Sequence, residues 1–165
     1  MTKRILDVCC GSKLFWFQKQ HSDVIFMDIR KEEYKIYDKH VNVDPDMIGD
    51  FRNIPFKTNQ FDMVVFDPPH LRWAGHNSIM RAQYGQLSES WEQDIGQGFS
   101  ECMRVLKPGG FLIFKWCECQ IKLNEILKLT DVSPLFGNKR GDTHWLVFTK
   151  EMIRDDNKAT SSRSF

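Results

Sequence analysis

The sequence predicts an α/β chain built on an open, mostly parallel sheet with its chemistry at the carboxyl ends of the strands. Three stretches carry that expectation. Met63 to Phe66 is a short apolar run, the pattern of a strand buried on both faces, and it stops at Asp67-Pro68-Pro69. Two consecutive prolines fix their own torsions and donate no ladder bonds, so sheet ends at a defined residue. Arg4 to Cys9 reads as a strand leading through Cys10-Gly11-Ser12 into an aromatic stretch, Lys13 to Gln20, expected as a helix whose N-terminus faces an anionic group. Asp23 to Asp28 is a further strand ending in a carboxylate, 21 residues after Asp7. That is close to the spacing at which an acidic residue meets ribose hydroxyls in doubly wound folds.

The rest of the chain is read around these three. Lys31 to Lys39 is charged and expected as a short helix, and Val41 to Asp44 as the third strand, ended by Pro45. Asp50-Phe51 precedes the strand that carries Asp67. Leu71 to Leu87 lacks clear periodicity and holds Arg72, Trp73, His76, Arg81 and Tyr84. This mixture of cations and rings suits a splayed nucleic-acid strand, with Gly75 and Gly85 as hinges. Ser90 is the expected cap of a helix to about Leu106, with Gln93 as its capping-box partner. A Lys107 to Gly110 turn leads into a buried strand, Phe111 to Trp116, and a helix follows from Gln120 to Leu129. Val132 to Phe136 and Thr143 to Lys150 are expected to pair across a turn at residues 137–141. The tail 155–165 is polar and expected to be flexible, leaving one domain over residues 1–154.

Composition narrows the function classes. The 165 residues are 41% hydrophobic and 27% charged with a net charge of +1, so any nucleic-acid contact must come from a local patch. No apolar run approaches the roughly 20 residues of a membrane span. The N-terminus enters a strand at once, and five cysteines without disulfide-like spacing suit a reducing compartment, so a cytoplasmic location is expected. No metal is expected. Cys9, Cys10, Cys117 and Cys119 lack C-x₂-C spacing, and small thiols are common at buried strand ends.

Asp67-Pro68-Pro69-His70 resembles the [DNS]-PP-[YFWH] motif of S-adenosylmethionine-dependent amino-methyltransferases, above all the nucleic-acid adenine-N6 enzymes. The turn from Asp7 resembles motif I of class I methyltransferases, D-x-G-x-G-x-G. Asp7 and Gly11 match it, while Cys9 and Lys13 replace the first and last glycines. Leu106 to Leu112 is similar to a block widespread in that class. The resemblance spans residues 4 to 150. It implies a Rossmann-like sheet of seven strands in the order 3-2-1-4-5-7-6, mostly parallel, with helices on both faces. It implies S-adenosylmethionine as cofactor, held by Asp7, Cys9, Gly11, Asp28, Asp50 and Phe51; Lys13, where the motif has glycine, is either a cation for the methionine carboxylate or a solvated lysine on the first helical turn. The catalytic set is Asp67, Pro68, Pro69 and His70: Asp67 and the Pro68 carbonyl accept from an exocyclic amine, and His70 stacks on the base. Arg72, Trp73, His76 and Arg81 are the expected substrate contacts, on DNA slightly ahead of RNA. Target choice would come from this short region, a homodimer or a specificity partner. Guanine N2 in RNA, a protein glutamine amide, or a non-catalytic cofactor-binding subunit are the alternatives.

Overall fold

The computed structural model describes residues 3–75 and 78–152. Its main sheet has seven strands: β1 (Ile5–Asp7), β2 (Val24–Asp28), β5 (Met47–Ile48), β6 (Phe61–Phe66), β7 (Leu106–Cys117), β8 (Phe136–Arg140) and β9 (Thr143–Thr149). They lie in the order β5-β2-β1-β6-β7-β9-β8. The pairs β5–β2, β2–β1, β1–β6 and β6–β7 are parallel, and β9 runs antiparallel to both β7 and β8. This is the expected order and the α/β class I methyltransferase fold. β1 is central, with Ile5 opposite Val24 on one side and Met63 on the other. In that register Asp7, Asp28 and Asp67 finish neighbouring strands at one edge of the sheet.

Alternation along the strands gives each face its own core. Leu6, Val64, Phe66, Leu112, Phe114, Trp116 and Phe148 point into the larger one, where α2 (Trp91–Val105) adds Ile95, Phe99 and Cys102, and α3 (Leu123–Leu127) adds Ile126. Gly98 is there because α2 sits so close. A Cβ at this position would lie 2.6 Å from Phe66 Cζ and 2.8 Å from Phe51 Cδ2. On the opposite face Cys10, Val24 and Phe26 form a smaller cluster closed by Trp16.

Several local expectations are corrected. Lys13 to Gln20 is not a helix but a run of turns. Lys13 takes a left-handed φ of 54°, and the Trp16 indole donates to Asp7 Oδ2 at 2.7 Å, which fixes the segment by its side chains instead of a backbone ladder. Lys31 to Lys39 is not a helix either. It contributes to a hairpin of β3 (Glu32–Ile36) and β4 (Lys39–Val43), which turns at Tyr37 with φ 53° and forms a separate two-stranded sheet. Val41 to Asp44 therefore supplies hairpin, and Met47–Ile48 is the third strand of the main sheet.

Leu71 to Leu87 does contain a helix, α1 (Ile79–Tyr84), with the Ser78 hydroxyl accepting from the Arg81 amide. Ala82 packs against Val41 and Val43, so α1 rests on the hairpin. Ser90 precedes α2 without a side-chain capping bond; its hydroxyl and that of Ser88 turn to Asp94. The expected turn at residues 137–141 is mostly strand β8, and the chain reverses at Gly141 with φ 59°. The expected tail 155–165 lies outside the described residues. Among the described residues no helix is long and apolar enough to cross a membrane.

Candidate active site

The carboxyl ends of β1, β2, β6 and β7 open into one cavity of about 590 Å³. Strand ends supply its floor: Asp7 to Ser12 after β1, Asp28 to Arg30 after β2, Asp67 and Pro69 after β6, and Lys115 in β7. Its walls are Asp50 to Arg52, the α1 end from Gln83 to Ser88, Asp94 of α2 and Trp145 of β9. Leu14, Phe15 and Phe17 of the turn-built segment form a rim, where Phe17 is fully exposed.

The first turn is shaped by close approach. Gly11 has φ 49°, and a Cβ on it would lie 2.7 Å from the Gln83 carbonyl oxygen, so a side chain here would push α1 off the turn. Its amide donates to Asp28 Oδ2 at 2.8 Å. Cys9 keeps ordinary torsions and donates its amide to Asp7 Oδ1 at 3.3 Å, which shows how a small thiol serves in a glycine's place. The Ser12 hydroxyl, also on the cavity wall, is buried with no hydrogen-bond partner among the described residues. Lys13 departs from expectation. Its ammonium lies 4.4 Å over the Phe26 ring and Lys13 is not on the cavity wall, although its backbone does adopt the left-handed geometry of the glycine it replaces.

Asp28 is buried and clamped by Arg30, whose amide and Nε reach Oδ1 at 2.9 and 3.3 Å. Arg30 Nη1 then donates to the Ala82 carbonyl at 2.9 Å, and so does the Tyr34 hydroxyl at 2.9 Å. Arg30 thus ties the end of β2 and the hairpin to α1. Asp50 is held by Arg52, with Nη2 on Oδ2 at 2.6 Å, and burial matters less there than this pairing, which lowers the Asp50 pKa. Arg52 also reaches Asp94 at 3.3 Å. Phe51 packs on Phe66 with ring centroids 5.2 Å apart.

The β6–β7 end of the cavity holds a partly buried ion pair. Lys115 Nζ donates to Asp67 Oδ2 at 2.7 Å and lies 5.3 Å from the Tyr84 ring and 5.7 Å from the Trp145 ring. Burial pushes the Asp67 pKa up, and Lys115 opposes that rise. Burial also lifts the Asp7 carboxyl to about 7, against the hydrogen bonds from Trp16 and Cys9 that favour its charge.

His70 is the second departure. It is 5% exposed, lies behind Tyr84 and Trp116 and does not line the cavity, so it cannot stack on a base there. Its Nε2 is buried without a partner among the described residues, and burial lowers its pKa to about 4. His70 instead shores up the tyrosine whose ring faces Lys115. It also stands near Cys117 and Cys119, with one ligand atom from each within 4.8 Å of the others; among the described residues no fourth such ligand joins them.

Of the expected substrate contacts, Arg72 is exposed and Trp73 is 79% exposed, both pinned at the backbone by Gln120. Arg81 lies in α1 on a second, open cavity with Arg30, Glu32 and Tyr34. His76 lies outside the described residues. Sequence reasoning missed Arg30, Asp94, Tyr84's wall position, Trp145 and, above all, Lys115. A signal for Lys115 was present: a lone cation in the apolar run Phe111 to Trp116 needs a buried partner.

Comparison with known proteins agrees with this geometry. The methyltransferase domain family matches residues 5–110. Over 68 residues the chain is 29% identical to malonyl-acyl-carrier-protein O-methyltransferase 1 of Coxiella burnetii, a stretch that is 41% of this chain and 17% of that protein. Among solved structures, the PH0226 protein from Pyrococcus horikoshii OT3 superposes with a TM-score of 0.59 at 18% identity, covering 92% of this chain and 84% of its own. A SAM-dependent methyltransferase from Methanosarcina mazei gives 0.50 at 14% identity, covering 92% and 95%. At these identities the likeness is one of fold.

Proposed function

Since the chain belongs to the methyltransferase domain family and takes S-adenosylmethionine as its cofactor, we propose that it methylates an amine nitrogen seated against Asp67, the exocyclic N6 of adenine in nucleic acid, with DNA ahead of RNA. The observation that carries this reading is the placement of Asp67. It ends the strand beside β1, faces the same cavity as the Asp7 to Ser12 turn, and is followed by two prolines that hold its backbone outside the sheet.

The cavity suits the cofactor. S-adenosylmethionine carries a sulfonium charge, and Asp7, Asp28, Asp50, Asp67 and Asp94 surround a space whose cations, Arg30, Arg52 and Lys115, are each paired with one of those carboxylates. The unpartnered Ser12 hydroxyl gives a polar group of the cofactor a buried partner. Gly11, with no Cβ, leaves the turn close to its backbone. Asp28 is the residue to hold the ribose hydroxyls, and Phe51 gives the adenine ring a flat neighbour.

Bound cofactor supplies a methyl group that passes to the amine lone pair, the S–C electron pair remaining on sulfur as a neutral thioether. The chain's own residues prepare the acceptor. An exocyclic amine is a weak nucleophile because its lone pair is delocalised into the base. Pro68, the second expected acceptor, is buried and does not line the cavity, so Asp67 alone is placed to accept an N–H of the amine, favour the tetrahedral form and stand ready for the proton released. Tyr84 and Trp145 take the stacking role expected of His70, with exposed Trp73 and Arg72 just outside for the neighbouring nucleotides.

The test uses labelled S-adenosylmethionine with unmethylated DNA and total RNA, followed by nucleoside digestion and mass spectrometry. N6-methyladenine is the expected product, and the sugar it carries separates DNA from RNA. Methyl recovered on guanine N2, on protein or on an oxygen overturns the reading. Asp67→Ala lowers transfer by about 100-fold or more while cofactor affinity holds; transfer that survives this change removes Asp67 from the mechanism.

A further inference from the structure

We infer, resting on the amine reading above, that Lys115 and Asp67 act as one donor–acceptor pair, in which Lys115 aims the carboxylate and offers a second N–H to a hydrogen-bond acceptor flanking the reacting amine. The substrate class this selects is a planar base presenting H₂N–C=N, as adenine does at N6 and N1.

The geometry is specific. Among the described residues, Asp67 is the one hydrogen-bond partner of the Lys115 ammonium, at 2.7 Å, though an ammonium has three N–H groups to give. Asp67 in turn uses Oδ2 for Lys115, and among the described residues Oδ1 has no hydrogen bond. Both side chains are largely buried, 19% and 13% exposed, where unspent polar groups are costly. The cavity wall therefore shows an acceptor and a donor side by side, and its complement is a donor beside an acceptor. Adenine offers that pairing at N6–H and N1. Guanine at N2 offers two donors on its N1 side, which would meet the ammonium with an N–H, and presents a donor beside an acceptor only through N3, on the edge next to the sugar. Tyr84 and Trp145, both within 6 Å of the Lys115 ammonium and on the cavity wall, favour a flat ring over a flexible amide.

Lys115 also bears on the charge of Asp67. The titratable groups that act on Asp67 are Asp7 and Cys9 at the end of β1 and Lys115 of β7, and Lys115 in turn faces Tyr84 of α1 and His70. Of these Lys115 is the cation, and it holds down a carboxyl that burial pushes up. Removing that cation makes the carboxylate harder to form, so it is lost at a higher pH than in the wild type.

The experiment compares oligonucleotides carrying adenine or 1-deazaadenine, in which N1 is replaced by C–H, with wild type, Lys115→Met and Lys115→Arg. Wild type is expected to prefer adenine by about 10-fold or more in kcat/KM, the scale of a hydrogen bond to a charged group. Lys115→Met loses that preference, and the acid limb of its pH profile moves up by about 1 pH unit or more; Lys115→Arg restores part of both. A purely structural lysine would lower activity with limb and preference unmoved, which overturns the inference. The wild-type comparison needs no substitution and decides the question even where Lys115→Met misfolds. Equal methylation of both bases by wild type overturns this inference alone, whereas methylation of neither, with cofactor bound, overturns the amine reading beneath it.

Discussion

A carboxyl group in an apolar wall is a proton store, and Asp7 is one. Burial lifts its pKa from 3.8 to about 7, so near neutral pH the free protein holds it partly protonated. Two consequences have opposite signs. The folded chain binds this proton more tightly than the unfolded chain, so the associated stability is fully present below about pH 4 and is lost as pH rises through about 7. A cationic cofactor beside Asp7 favours the charged form, so cofactor affinity rises over the same approach to pH 7 and levels off above it. Titration calorimetry at pH 6 to 8 in two buffers of different ionisation enthalpy should show proton release on binding that fades by pH 8. Binding without proton release at pH 6.5 would remove Asp7 from contact with the cofactor's charge. Asp7, Gly11, Asp28 and Asp67 were legible in the sequence because each ends or follows an apolar run, and strand ends converge on one edge in a parallel sheet. Lys13 and His70 were placed by analogy with a motif, and their side chains went elsewhere: Lys13 to the Phe26 ring and His70 behind Tyr84. Neither displacement is visible without the packing partner.

Elements were read well where periodicity was unambiguous. The hairpin over residues 32–43 looked helical because it is charged, yet Tyr34 and Ile36, then Val41 and Val43, recur at a spacing of two, the strand period. The 13–20 segment failed for a different reason. Phe15, Trp16 and Phe17 are consecutive and cannot share one helix face, and the Trp16 bond to Asp7 commits the backbone to turns. Helix α2 was found, but the meaning of Gly98 was not. As a helix interruption Gly98→Ala should stabilise by up to about 1 kcal/mol. Against that, the new Cβ would sit 2.6 Å from Phe66 and 2.8 Å from Phe51, in a core with no slack. Overpacking of this kind costs about 1–3 kcal/mol, so packing outweighs propensity and Gly98→Ala destabilises. Because Phe51 lines the cavity, cofactor affinity should fall along with the denaturant midpoint. A more stable variant with unchanged affinity would show that α2 can draw back without disturbing the site.

At the scale of the whole molecule, the cavity is the place where otherwise separate pieces meet. The sheet has its two cores, whereas the hairpin and α1 share only the small cluster of Val41, Val43 and Ala82, and together with the 13–20 segment they meet the sheet around the carboxyl edge. Arg30 joins three of these pieces by reaching from Asp28 to the carbonyls of Ala82 and Gln83 beside the hairpin. A ligand held by Asp7, Asp28 and Phe51 would therefore bridge the rigid sheet and its lightly anchored rim. Ligand at 100 times its dissociation constant adds about 2.7 kcal/mol to stability. For a chain of 165 residues, that corresponds to a rise of about 5–10 °C in Tm. The rim should respond beyond this global rise: amide exchange over residues 79–85 should slow more on adding S-adenosylmethionine than exchange in β6 and β7, whose amides already open only with the whole domain. Arg30→Met should leave most of the Tm rise, since the cofactor still meets the sheet, but should abolish the extra protection of α1. Equal protection of α1 in both proteins would mean that the rim closes on the ligand directly, without the arginine tie.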